Sequence, residues 1–278
     1  MSLLYDQHLH SFHSIDSETP PAENVKAALG AGLGGLVFTE HFDSHPDEWD
    51  TCRYDDDIYS RDIAELRSLF QDQIFIGKGI EICYQPSRWE FILEHLFAHS
   101  FDLVILSVHW SETGPIQYRQ WWEQFPTVHD AADEYLRTVL KAVSDAERAA
   151  GELGRRVFDV LGHLDLVKRY ALFIAGTEDV QVDPVLLDDI LLTCIQADLT
   201  PEVNTSLLRQ GGSEPMPGFS IMQRYRELGG STMSLGSDAH RAEDVGADFA
   251  VATGLMKEAG LRGIALFRSR EKQEEYFA

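Results

Sequence analysis

Three cysteines in 278 residues, Cys52, Cys83 and Cys194, are too few and too scattered for a disulfide framework, and none stands in a Cys-x-x-Cys pair. They read as reduced thiols. Cations are scarce too: 23 Lys and Arg stand against 46 Asp and Glu, a formal net charge of −23. Nucleic-acid binding depends on clustered basic residues, so no nucleic-acid partner is expected. No apolar run reaches the roughly 18–20 residues of a membrane span, and no basic-then-apolar leader opens the chain. The expectation is no membrane contact and a cytoplasmic location. Low-complexity tracts, internal repeats and Pro/Ser-rich linkers are also missing. The chain is therefore expected to form a single domain over residues 1–278.

What is present is alternation. Strand-like runs are read at Leu4–His10, Gly35–Thr39, Ile74–Ile82, Asp102–Val108, Val157–Leu161, Pro201–Asn204 and Thr232–Gly236, with an eighth candidate at Gly263–Phe267. Helical patterns fall between them: Pro20-Pro21 to about Gly30, Asp56–Gln71, Ser87–His99, His129–Leu153, Asp183-Pro184 to about Ala197, Gly218–Leu228 and Val245–Glu258. This order predicts an α/β fold, a TIM-like parallel barrel of seven strand–helix units, whose strands all deliver their C-terminal ends to one rim. An aromatic-rich insertion, about residues 110–127, carries Trp110, Tyr118, Trp121, Trp122 and Phe125. It reads as a cap over the barrel or, as the second choice, a pocket wall.

The residues that follow each strand are chemically alike. They are His8 and His10; Glu40, His41 and Asp43; Glu81; His109; His163 and Asp165; Asn204; and Asp238 with His240. Six of the eleven histidines fall at these places, which scattered surface histidines would not do. His8-Leu9-His10 puts two imidazoles on one face of a strand, because strand side chains repeat every two residues. Imidazole and carboxylate without thiolate suits zinc, iron or manganese. The donors exceed what one ion needs, so two or three divalent ions with a bridging carboxylate are expected. Adjacent ions of this kind support metal-assisted hydrolysis.

The motifs His8-Leu9-His10, Thr39-Glu40-His41-Phe42-Asp43, Gly79-Ile80-Glu81, Ser107-Val108-His109, Gly162-His163-Leu164-Asp165, Glu202-Val203-Asn204-Thr205-Ser206 with Arg209, and Gly236-Ser237-Asp238-Ala239-His240 resemble the PHP (polymerase and histidinol phosphatase) superfamily. Within it they are most similar to the histidinol-phosphate phosphatases. The resemblance implies a distorted seven-stranded barrel with a trinuclear site. It places His8, His10, Glu81 and Asp238 at a first ion, and Glu81, His109 and His163 at a second. His41 and His240 go to a third with Asp16, where many family members carry histidine; His13 is a competing ligand. It further implies hydrolysis of L-histidinol phosphate by a metal-bridging hydroxide without a phosphoenzyme. Arg209 is the implied phosphate contact, with Lys168, Arg169 and Arg241 in reserve. Leu207-Leu208 departs from the small residue usual before that arginine. Asp43, His240 or a metal-bound water would protonate the leaving group.

Plainer readings accompany several residues. Asp165 orients His163 or caps a helix, Glu40 is a hydrogen-bonding group before it is a ligand, and Asn204 anchors its loop before it touches substrate. His95, His99 and His129 read as solvated; His45 is a candidate substrate contact. The expected partner is a small phosphorylated substrate, with homo-oligomer formation left open. Competing functions are a phosphatase for another small ester or phosphotyrosine, a phosphodiesterase, an amidohydrolase-like enzyme and a non-catalytic metal-binding protein. Glu81, in place of a lysine that could be carbamylated, argues against the amidohydrolase.

Overall fold

A computed structural model describes residues 4–52 and 54–277. Seven parallel strands follow one another around a ring: β1 (Tyr5–Leu9), β2 (Gly35–Phe42), β3 (Phe75–Cys83), β4 (Leu103–Ser107), β5 (Val160–Leu161), β6 (Thr200–Asn204) and β7 (Thr232–Gly236). Each pairs with its predecessor in parallel register. The ring's ends meet beside the rim, where Asp238 N donates to His8 O at 2.7 Å and His10 N to Ala239 O at 2.8 Å. The strands are buried along nearly their whole length on both faces, which is why they read as apolar runs rather than alternations.

Helices α1 (Pro21–Gly30), α2 (Asp56–Leu69), α3 (Trp89–Ala98), α4 (Val128–Leu153), α5 (Val167–Ala175), α6 (Pro184–Gln196), α7 (Phe219–Glu227) and α8 (Phe249–Glu258) accompany the strands. Their starts follow local chemistry: Asp55 accepts from Ile58 N, Thr127 from Asp130 N, and Asp183 from Val185 N ahead of Pro184. In α2 the inward face runs through Tyr59, Ile63 and Leu66, while Ile58 turns to solvent. Among the elements of six residues or more, α5 and a strand β9 (Glu271–Tyr276) were not anticipated. Among the described residues, no helix is long and apolar enough to cross a membrane.

The eighth strand, β8 (Gly263–Arg268), does not complete the ring. It pairs with β7 at only two positions, and β9 folds back on it antiparallel. Ala265 and Phe267 instead pack with Val37, Leu103, Ile105 and Val160 from β2, β4 and β5, a set that can meet only inside the barrel. Gln7 of β1 ties this strand down, donating to Ala265 O and accepting from Phe267 N. Past β8, Arg270 crosses to the far wall, where the fully buried Asp159 pairs with both Arg156 and Arg270 and accepts from Val104 N. Removing one member of a buried ion network strands the others. Asp159→Ala is expected to cost about 3 kcal/mol of unfolding free energy in a urea titration. A change within experimental error would mean that this network contributes nothing to the barrel floor.

The insertion behaves as a cap. Trp121 and Trp122 are buried with their indole N–H groups satisfied by Ser111 Oγ and Ile116 O, and Trp121 packs on Phe125. Of the insertion's aromatic residues only Trp110 lines the rim cavity, together with Gln117.

Candidate metal centre

β1 and β3 supply the centre of the rim. His8 Nε2 and His10 Nε2 lie 3.4 and 3.6 Å from Glu81 Oε2, and His41 Nδ1 lies 2.9 Å from the same oxygen. All four atoms are buried, yet none has a hydrogen-bond partner among the described residues. Asp238 Oδ1 approaches from the end of β7, beside β1, 3.8 Å from His8 Nε2 and 3.5 Å from His10 Nε2. The other oxygen of Glu81 faces a second pair of rings, His163 Nε2 at 2.9 Å and His109 Nε2 at 3.4 Å. A third grouping lies outward, where Asp16 Oδ2 sits between His41 Nε2 at 3.4 Å and His240 Nε2 at 3.0 Å. The His10 ring stacks against both His41 and His240.

Buried polar atoms without partners are costly, and here they converge on shared points. A cation fits such a cluster of imidazole nitrogens and carboxylate oxygens, and the donor types suit zinc, iron or manganese. The overlapping groups His8–His10–Glu81, His41–Glu81–His109 and His10–His41–His240 each bring their donor atoms within 4.8 Å of one another.

Electrostatics point the same way. Burial works against charge on every group, but the neighbours overcome it. Burial opposes protonation of His8, His41 and His109, yet Glu81 with Glu202, Asp16 and Asp43 holds all three well above the usual imidazole range. His8, His109 and His41 hold Glu81 well below the usual carboxylate range against burial, and His10, His8, Arg169 and His240 do the same for Asp238. His10 is the exception, pushed down to about 3 by burial and by His41 and His240. Above these residues opens a cavity of about 170 Å³, lined by Asp16, Asp43, Glu48, Glu81 and Asp238. Arg169 is the only Lys or Arg among its described lining residues. With its imidazoles neutral, as metal ligation requires, the cavity sets five carboxylates against one guanidinium, and bound cations would supply the positive charge a phosphate dianion needs.

Supporting residues fix the rings. Glu40 is no part of the convergent set: it accepts from Ser11 Oγ and Ser14 Oγ, and burial pushes its carboxyl up to about 7. Ser14 in turn contacts His10 Nδ1 and accepts from His41 N. Asp43 lines the cavity and accepts from His109 Nδ1 at 3.2 Å. Glu202, buried in β6, accepts from His8 Nδ1 at 2.7 Å. Glu202 was read only as part of a motif; a carboxylate inside a strand buried on both faces was the signal available.

Several expected residues lie elsewhere. Arg209 is outside the cavity lining: Ser206–Arg209 forms a helical turn that buries Leu207 and aims the guanidinium at the backbone of Asp238 (Nη2 to O, 2.8 Å) and at Asp244. It braces a residue with φ +53. Lys168 pairs with Glu214, and Arg241 approaches Glu243, neither lining the cavity. Asn204 spends its side chain on Glu202 and Ser206. His13 turns away to Asp62. Asp165 accepts from Gly218 N and provides no cap for α5. His95 is half-buried against Phe42 and bonded to Tyr54, not solvated. His45 stacks on Trp110, with ring centroids 3.6 Å apart, in a neighbouring cavity of about 600 Å³.

Comparison with known proteins agrees with this geometry. Residues 6–206 match the PHP domain family. The chain is 29% identical over 264 residues to the histidinol-phosphatase of Lactococcus lactis, covering 94% of this chain and 93% of that one. It is 29% identical over 280 residues to a probable histidinol-phosphatase of Deinococcus radiodurans, covering 98% and 100%. The crystal structure of the Lactococcus lactis histidinol phosphate phosphatase, complexed with zinc, L-histidinol and phosphate, superposes with a TM-score of 0.80 at 26% identity, covering 97% and 98%.

Proposed function

The chain belongs to the PHP-domain family, and on that premise we propose that it hydrolyses L-histidinol phosphate to L-histidinol and phosphate, using two or three divalent metal ions. The observation that carries the reading is the convergence of three partnerless imidazole nitrogens on Glu81 Oε2 beneath a small acidic cavity. The likeness over nearly the full length of relatives with that activity gives the substrate. In this reading His8, His10, Glu81 and Asp238 hold one ion. Glu81 shares a second with His109 and His163, and His41, His240 and Asp16 hold the third.

Bound divalent ions supply the positive charge that admits phosphate and lower the pKa of a coordinated water. The protein's own groups do the rest. Arg169 reaches the cavity from α5 with its Nε unpartnered among the described residues, and it offers a charge-assisted hydrogen bond to a phosphoryl oxygen. Asp43 keeps the His109 ring turned toward Glu81. Of the two candidate proton donors that line the cavity, Asp43 is held as an accepting carboxylate by His109, which leaves His240, when the third ion is absent, to protonate the leaving alkoxide. Trp110 and His45 form the wall toward the neighbouring cavity, where the organic part of the substrate would extend. Asn204 and Arg209 act on the site through Glu202 and Asp238.

The test is phosphate release from L-histidinol phosphate, other small monoesters, phosphotyrosine and a phosphodiester, with zinc, iron or manganese added. L-Histidinol phosphate is expected to give the highest kcat/KM. Faster turnover of another ester would replace the named substrate, and a protein inert toward all of them would end the phosphatase reading.

A further inference from the structure

Glu202 stands where no metal-ligand pattern placed a residue, in the middle of the buried strand β6. Its two oxygens serve separate donors. Oε1 receives the N–H of His8 Nδ1 at 2.7 Å, while Oε2 receives the backbone N–H of His163 at 2.9 Å and Asn204 Nδ2 at 3.2 Å. The orientation of Asn204 is fixed independently, because its Oδ1 accepts from Ser206 N at 3.1 Å. Glu202 is therefore surrounded by donors on both sides, and only a carboxylate accepts at both ends.

A second observation concerns the space. Gly236 on β7 lies against this pair, and a Cβ there would collide with Glu202 Oε1 and His8 Cβ. The His8–Glu202 contact thus fills the space that the missing side chain of Gly236 leaves. Donation from Nδ1 leaves Nε2 as the lone-pair nitrogen of a neutral His8, and Nε2 is the atom aimed at Glu81 and Asp238.

We propose that Glu202 is the positioning residue of the centre. Through one carboxylate it sets the tautomer and direction of His8 in the first ion group and holds the backbone of His163 in the second. It touches neither substrate nor ion. This inference rests on the metal reading of the site.

Glu202→Gln is the informative variant because it keeps size and shape. A glutamine satisfies one side only. With its oxygen toward His8, its NH₂ opposes the His163 N–H and Asn204 Nδ2. Turned over, its NH₂ faces His8 Nδ1 and drives the proton to Nε2, which removes the ligand lone pair. The full chain, loaded with zinc, is titrated with a chelator to measure zinc retention, and imidazole nitrogen NMR reports which His8 nitrogen carries the proton. Both Glu202→Gln and Glu202→Ala are expected to weaken zinc retention by about 10–100-fold. Gly236→Ala, which drives a methyl into the same contact, is expected to do likewise. Wild-type retention in Glu202→Gln, with the His8 proton unmoved, would overturn the proposal while leaving the metal reading intact. Failure of the wild type to retain zinc would instead overturn the metal reading and this proposal with it. Should Glu202→Ala not fold, the isosteric glutamine decides alone.

Discussion

Glu81→Ala is expected to strip metal from the protein and to lower phosphatase turnover by about 10³-fold or more, beyond the loss of a single charge-stabilising donor. Glu81 turns one oxygen to each ring group: Oε2 faces His8, His10 and His41, and Oε1 faces His109 and His163. Without it, five imidazoles converge on a point with Asp238 at one edge. Metal analysis of the purified variant and activity at saturating zinc are the two readouts. Unchanged zinc content would remove the bridging role, whatever the activity did. The wild type offers a companion measurement. Nearby carboxylates keep His8, His41 and His109 protonated in the metal-free protein. An incoming ion must displace those protons, so zinc binding should release protons and weaken as pH falls.

The rim was legible in the sequence for a geometric reason. In a parallel barrel each strand's C-terminal end is fixed in space by its neighbours, so residues that follow strands must meet. His8, His10, Glu81, His109, His163 and Asp238 needed only strand positions correct to a residue or two. Less legible were placements that depend on side-chain direction within loops. Arg209 lies one helical turn beyond β6, and burial of Leu207 rotates its guanidinium to the outer side of Asp238. Arg169 belongs to a helix that begins only four residues after His163, too close behind the motif for its apolar spacing to stand out. β9 was missed because its exposed residues, Glu271 to Tyr276, carry no apolar alternation; its pairing is dictated by β8 through the turn at Ser269 and Arg270, both at positive φ. Glu202 was hidden by the opposite bias: a buried charge has meaning only once its partners are known.

The second large effect falls on Arg169, whose guanidinium donates to Asp238 Oδ2 at 2.8 Å and to Ser206 Oγ while facing the cavity. Arg169→Met is expected to lower kcat/KM by about 10²–10³-fold, the scale for losing one donor to a developing phosphoryl charge. Because the guanidinium also touches a proposed ligand, metal content must be measured beside the kinetics. A phosphate contact predicts near-normal zinc content and impaired turnover. A role confined to holding Asp238 predicts that metal loss accounts for the whole defect, which would sink the assignment. Arg169→Lys sharpens the distinction, since it keeps the charge but not the planar fork and should recover only part of the activity. Arg209→Met is the counterpart. Its guanidinium reaches the Asp238 carbonyl from outside the cavity, so its effect should track metal retention and not the choice of phosphate ester. If Arg209→Met impaired phosphate binding with zinc fully retained, the two arginines would exchange roles.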